Sequence, residues 1–470
     1  MQRYQVLTHE ELLKIHENSL RILENVGVVF ALEQARDILQ KHGAKVEGSL
    51  VKFPRTMVEE KLRTVPSSFK LHGRDPKMDT IVDTHHSTWV GPYGSPFITD
   101  LDRGRRESTM EDFITITKLC QMLEHIDVQS HIYCEAGDIP TESRAMEMVF
   151  SAMKYNSKPI MGGVLGYEDA KHCIELAAIP FGGVDAIREK PIMASIPTTL
   201  TPLSYDEKML GAIIAYAEAG QPQLVSSLTM AGTTAPCTLA GAISVQNAEV
   251  LAGIILAQCV NPGTPIVYSA SGTSADMRTG SLAVGAPEGA LFDLVNGQLT
   301  KFYNIPCRIS GALSDSKCTD MQAGYETMLT LLMAQMAGGN YILHAAGILE
   351  GYNMISLEKL IIDHEVIGIV DRLSRGVTVD EDTLAYDEIA EIGPQGEFLT
   401  SDNTAMFFRK EFFIPSNITD RRPYENWSSD KSTAEQRANA KWKQLLEEYE
   451  EPELGAEVER DMRRYIESHS

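Results

Sequence analysis

A (β/α)8 barrel is the fold that three features of this 470-residue sequence predict. Eight short apolar runs recur between residues 88 and 346, helix-length amphipathic stretches separate them, and no nucleotide-type glycine turn follows any run. Eight strand–helix repeats in about 260 residues match a barrel in count and in size. An open doubly wound sheet is the alternative, but it has fewer strands and a GxGxxG after the first. Neither that motif nor GxxxxGK[ST] follows a run here.

Residues 1–85 are expected to form a helical accessory segment. Thr8 precedes Glu11 at capping-box spacing, apolar residues follow at Leu12, Ile15, Leu20, Ile22 and Leu23, and Gly27 interrupts them. This predicts two helices over 8–43, with a short third over 54–65. Residues 86–375 are expected to form the barrel. Its runs lie at 88–91, 126–133, 159–165, 191–197, 222–228, 265–270, 306–311 and 341–346. Five of them open with proline, which is tolerated at the first residue of a strand because the missing N–H matters little there. Helices are expected between them over 110–123, 142–154, 168–178, 206–219, 244–259, 290–303 and 322–337, and after the last over 356–375. The stretch 307–352 shows the unit most clearly, as strand, amphipathic helix and strand with polar tails on both strands. Residues 376–470 are expected to be a helical extension on the barrel. Its charged helix at 432–448 would dock through Trp442 and Leu446, and the segment could also meet a second copy of the chain.

The net charge of −23, from 65 acidic and 42 basic residues, argues against a nucleic-acid partner, which needs a clustered cationic surface. The acidic stretch 447–459 reads as a solvated helix face. Seven cysteines at 120, 134, 173, 237, 259, 307 and 318 are odd in number, widely spread and without a CxxC pair, a pattern of reduced thiols in a cytoplasmic protein. The N-terminus has no signal-peptide core, and no run is read as long enough to cross a bilayer.

In a barrel the ligand lies at the C-terminal ends of the strands. Those ends carry Tyr93, Tyr133, Tyr268, Ser310, Asp315, His344, Glu350 and Tyr352, with further hydroxyls at 198–201, 226–229 and 269–273. Tyrosine faces can cage a cation, although Tyr93, Tyr133, Tyr268 and Tyr325 read equally well as core fillers with satisfied hydroxyls. His344 sits at the end of its run rather than its start, which favours function over a satisfied structural histidine. Asp315 and Glu350 are candidates for facing a cation or orienting His344, or else for capping a helix or loop. A zinc site from His131, Cys134 and His344 lacks diagnostic spacing, so no metal is expected. No HExxH, no GxSxG at a strand-to-helix turn and no strand-end lysine for a Schiff base is present.

The segments GALSDSKCTDMQAGYE (311–326), AGGNYILHAAGILE (337–350), LIIDHEVIG (360–368) and TWVGPYGSPFITDLD (88–102) resemble the trimethylamine methyltransferase family, in its large branch without pyrrolysine. The likeness runs from LTHEELLKIHENSLRILENVGV (7–28) to the last barrel helix. Founding members carry an in-frame pyrrolysine in the catalytic cavity, where this sequence has ordinary residues throughout. The resemblance implies a barrel that holds an N-methyl amine while a separate corrinoid protein presents Co(I), with no permanently bound cofactor. Its pyrrolysine-free branch implies quaternary amines such as glycine betaine, proline betaine or carnitine. On that basis Tyr93, Tyr133 and Tyr268 would contact the cation, Tyr352 would line the substrate, and His344 would orient it at its carboxylate. Ser310, Asp315 and Glu350 would form the polar shell, with Arg308 as a second carboxylate partner or a buried structural ion pair. A metal-assisted hydrolase or lyase and a non-catalytic betaine-binding protein are the competing readings.

Overall fold

The structure, a computed structural model describing residues 4–469, is a mixed α/β fold built on parallel strand pairing. Five strands lie side by side in the order Gln223–Ala231, Ile266–Ser274, Cys307–Ser310, Tyr341–Leu343 and Thr88–Trp89, all parallel. A second parallel pair joins Ile160–Met161 to Met193–Ala194. Single parallel bridges link Val90 to Val128, Gln129 to Ile160, Ser195 to Gln223 and Thr198 to Ser226. Each of the eight runs read from the sequence therefore carries a parallel pairing. The run at 126–133 is present only through bridges at Val128 and Gln129.

Alternation sets what each strand face meets. Val90, Val128, Met161, Ala194, Leu224, Val267 and Tyr341 share one buried inner layer, which Leu71 and Val82 join from the antiparallel hairpin Ser68–Leu71 and Thr80–Asp83. The strand Cys307–Ser310 adds no aliphatic residue to this layer. Its Arg308 is instead in register with Tyr341. The other face is covered by the helices Met110–Met122, Thr141–Tyr155, Tyr167–Ala178, Glu207–Glu218, Leu239–Val260, Pro287–Tyr303, Met321–Ala337 and Leu357–Arg375. By length and composition Leu239–Val260 is apolar enough to cross a bilayer, which corrects the expectation that no run is. Seventeen of its residues are buried among strands and helices, so its apolarity is that of a core helix.

The N-terminal segment, expected to be helical, carries strands as well. The helices His9–Arg21, Glu33–Lys41 and Arg55–Leu62 are present, and Thr8 and Glu11 form the capping box. Between them the strand Val28–Phe30 pairs antiparallel with Leu50–Lys52 and parallel with Ser204–Tyr205, which ties this segment into the body. Gly27, at φ 86°, makes the turn into that strand, where a Cβ would meet the Val51 carbonyl oxygen at 2.7 Å. At the other end, Trp442 of the helix Ala434–Glu447 donates to Glu358 at 3.0 Å, and Met462 and Ile466 bury the helix Ala456–His469. The helices Tyr386–Ile392 and Asp402–Glu411 between them bury no residue.

Candidate functional site

On the strand Cys307–Ser310, Cys307 and Ile309 pack toward the helices, and alternation turns Arg308 and Ser310 the other way. Arg308 is 2% exposed, yet its Nη2 makes a single hydrogen bond, to His344 Nδ1 at 3.2 Å. Its Nε has no partner among the described residues. A guanidinium only donates, so His344 Nδ1 accepts and the ring proton lies on Nε2, which donates to the Tyr93 carbonyl at 3.1 Å. Burial, reinforced by the Arg308 cation, holds the His344 pKa well below the ordinary range. His344 is therefore a neutral ring with both nitrogens engaged.

His344 reaches this position against the alternation of its strand. Tyr341 and Leu343 point into the inner layer and Ile342 toward the helices, so a regular strand would send residue 344 outward. Its backbone is instead left-handed, at φ 59°, and the side chain turns back to Arg308. Three consecutive left-handed residues, Glu350, Gly351 and Tyr352, then fold the following loop over the site. Ser95 Oγ donates to the Tyr352 carbonyl at 2.7 Å, and the Glu350 and Gly351 amides donate to the Ser316 and Ser314 carbonyls.

Tyr352 stands edge-on to His344, with ring centroids 4.9 Å apart. Its hydroxyl lies 3.2 Å from Ser271 Oγ and 3.3 Å from Ser310 Oγ, and the two serines are 3.1 Å apart. Tyr93 completes the aromatic side, with centroids 6.3 Å from His344 and 6.0 Å from His131. The structure thus brings together five of the sequence candidates: Tyr93, Arg308, Ser310, His344 and Tyr352.

The remaining candidates lie elsewhere. Tyr133 and Tyr268 are buried on the helix-facing side of the strands. Tyr133 packs on Phe113 at 5.6 Å, and the Tyr268 hydroxyl donates to Asn247 Oδ1 at 3.0 Å. Neither ring faces the aromatic group around His344. Tyr325 is exposed on the helix Met321–Ala337. The Asp315 carboxylate accepts from the Val284 and Gly285 amides at 3.1 and 3.0 Å, so it clamps the loop after Ile266–Ser274. Burial raises its pKa. Glu350 pairs with Arg105 at 3.0 Å, and neither carboxylate touches His344. Among the described residues no group of three or more His, Cys, Asp or Glu side chains is gathered for a metal.

Two buried acids are absent from the sequence candidates. Asp293, on the helix Pro287–Tyr303, lines a small cavity with Ser271, Thr273, Ser310, Leu228 and Tyr352. Glu249 accepts from Ser227, Thr199 and Thr201 hydroxyls and the Leu203 amide, fastening the loop beyond Met193–Ala194 to the helix Leu239–Val260. The usable signal was an acid inside an apolar run, as in LFDLV at 291–295.

The family model of trimethylamine methyltransferase (MTTB) matches residues 1–470. The chain belongs to the trimethylamine methyltransferase family. A glycine betaine methyltransferase of Desulfitobacterium hafniense (strain Y51) is 44% identical over 464 residues, covering 99% of this chain and 97% of the relative. A proline betaine:corrinoid methyltransferase of Eubacterium limosum is 32% identical over 413 residues, covering 85% and 84% of the two chains. The crystal structure of Methanosarcina barkeri monomethylamine methyltransferase superposes with a TM-score of 0.55 at 11% identity, covering 94% of this chain and 89% of that one. At that identity the likeness concerns the fold alone.

Proposed function

We propose that this chain takes a methyl group from a carboxylate-bearing quaternary amine of the glycine betaine, proline betaine or carnitine class and passes it to Co(I) of a separate corrinoid protein. The observation that carries this reading is Arg308, a buried guanidinium with unused donors beside the aromatic rings of Tyr93, Tyr352 and His344. A cation with open N–H groups suits a carboxylate, and ring faces suit a methylated ammonium. Family membership and the two betaine methyltransferase relatives support the reaction class.

The chemistry asks little of acid or base. Co(I) supplies the electron pair of the new Co–CH3 bond, the N–CH3 bond breaks, and its electron pair stays on nitrogen, releasing a neutral tertiary amine. Because the leaving nitrogen starts with a permanent positive charge, no proton has to be delivered in the transfer step. The protein's work is to hold the zwitterion, aim one methyl outward and exclude water. A neutral His344, held between Arg308 and the Tyr93 carbonyl, fits a positioning role: it fixes the guanidinium rather than meeting the carboxylate itself.

The eight parallel segments are best read as closing into a (β/α)8 barrel, supported by the bridges that link them in sequence order from Val90 through Val128, Ile160 and Ser195 to Gln223. The exposed apolar side chains along 377–424, such as Val377, Tyr386, Leu399 and Tyr424, support a homo-oligomeric assembly, and the cysteine pattern supports a cytoplasmic location. The deciding experiment mixes the protein with a Co(I) corrinoid protein and candidate betaines and follows methyl-cobalt formation optically. Turnover with at least one carboxylated quaternary amine is expected, and no turnover with any of them would sink the reading.

A further inference from the structure

Asp293 is 6% exposed, and its carboxylate meets no hydrogen-bond donor among the described residues. Buried polar groups left without a partner are uncommon in a native fold and call for a ligand, a water or a function. Arg308, the cation that acts on Asp293, shares the predicament: among the described residues it forms no ion pair with an acid, and its Nε is unpartnered. One cavity side carries Asp293 with the hydroxyls of Ser271, Thr273, Ser310 and Tyr352. The same strand carries Arg308, two residues before Ser310 and so on the same face. A buried acid on the cavity wall and a buried cation two strand positions from Ser310 of that wall, with no ion pair between them, describe a receptor for a molecule bearing both charges.

We infer that Asp293 is the specificity-determining residue for the ammonium end of the substrate, the counterpart of Arg308 at the carboxylate end. This rests on the betaine reading proposed above and assigns the second pole of that site. The cavity holds only about 10 Å³ open to the centre of a water-sized molecule, room for a single water, while the Tyr352 hydroxyl sits on Ser271 and Ser310. A methylated ammonium therefore enters as that hydroxyl moves off the two serines, bringing the Tyr352 ring to the cation. Burial pushes the Asp293 carboxyl well above the usual carboxylate range, opposed by Arg308, as suits an acid whose second counter-charge is absent until substrate arrives.

The arrangement makes a kinetic distinction. The charge on nitrogen fades as the methyl leaves, so attraction by Asp293 is stronger for bound substrate than for the transition state. It tightens binding and selects for charge without accelerating transfer. The test compares glycine betaine with 3,3-dimethylbutanoate, its uncharged isostere with carbon in place of nitrogen, by calorimetric binding to the full-length protein. Asp293→Asn should weaken betaine binding by about thirtyfold or more, the size expected for losing one partner of a buried charge pair. It should leave isostere binding unchanged or tighter, and kcat at or above the parent value. Because both ligands are titrated on one preparation, any loss of folded protein cancels from their ratio. An unchanged betaine-to-isostere ratio, or equal weakening of both, overturns the assignment. The reaction itself fails separately, as absent methyl-cobalt formation in the parent protein with the charge-selective binding intact.

Discussion

Lys359 and Arg308 are both about 2% exposed, and they lie on opposite sides of the strand Cys307–Ser310 and the loop that follows it. Lys359, on the helix side, spends its three donors on the Ala312 carbonyl at 3.2 Å, Thr327 Oγ1 at 2.7 Å and Asp363 Oδ2 at 2.6 Å. Asp363 in turn accepts from the Gly347 amide, so this pair ties together the loops after two neighbouring strands. Arg308, on the inner side, has more donors and makes one bond, to a neutral histidine. Burial alone does not separate structure from function in this fold. What separates them is whether the protein itself completes the buried group.

The tyrosines repeat the contrast. On the helix side, Tyr205 donates to the Glu249 carbonyl, Tyr216 to the Gly163 carbonyl and Tyr268 to Asn247. On the inner side, the Tyr341 hydroxyl and Ser269 Oγ find no partner among the described residues. The contrast has one exception among these rings, because the helix-side Tyr133 hydroxyl also finds no partner among the described residues.

The sharpest way to break this comparison is to remove each cation in turn. Lys359→Met leaves Asp363 buried without its partner, and loss of one member of a buried pair is expected to destabilise by about 3–5 kcal/mol in urea unfolding. Arg308→Gln removes a charge that the fold barely uses, so folding stability should hold or rise. Its catalytic effect should be large, with kcat/KM for betaine falling by about 2–5 kcal/mol in transition-state terms, measured by methyl-cobalt formation. A Lys359 variant that keeps its stability, or an Arg308 variant that keeps its turnover, would put the two residues in the wrong classes.

A smaller effect is expected at Tyr268→Phe. Removing the hydroxyl strands the Asn247 oxygen in the core and should cost about 1–3 kcal/mol of stability, while kcat and KM stay at parent values. A changed KM would mean that the helix-side tyrosines reach the substrate after all.

Much of this division was legible in the residues. The eight apolar runs and their intervening helices follow from periodicity, and every run carries a parallel pairing. The alternation in YSASGTS at 268–274 already groups Tyr268 with Ala270 and Gly272, against the hydroxyls of Ser269, Ser271 and Thr273. Only one of those faces can line a polar site, so counting parity removes Tyr268 from it. Tyr133 could not be placed this way because its run is held by isolated bridges and parity has no footing there. His344 escapes parity through its left-handed backbone, a conformation that no residue type announces at that position. Asp293 and Glu249 were passed over because an acid within a helix ordinarily marks the solvent side, and the apolar neighbours of Asp293 in LFDLV were the one hint that it turns inward.

The smallest effect concerns two histidines, His131 beside Tyr93 and His364 on the helix Leu357–Arg375, whose ring accepts from the His125 amide at 3.3 Å. Burial pulls both down to about 3. A depressed histidine stays neutral in the native state while the unfolded chain takes up a proton near its ordinary value of 6.5, so its contribution is complete above that pH and is lost as pH falls toward 3. Each should therefore withdraw about 1 kcal/mol between pH 6.5 and 5.5. Asp127, pushed up to about 6 by burial, runs the other way over the same interval, because its native state binds the proton first, and it offsets about two-thirds of one histidine. Urea unfolding at the two pH values should show His131→Gln and His364→Gln each flattening the loss by a similar amount. Their kinetics should diverge, because His131 has a buried Nδ1 without a partner beside the proposed cation site, whereas His364 is engaged away from it. Only His131→Gln should change the KM for betaine, and equal kinetics in the two variants would remove His131 from the inner, ligand-facing set.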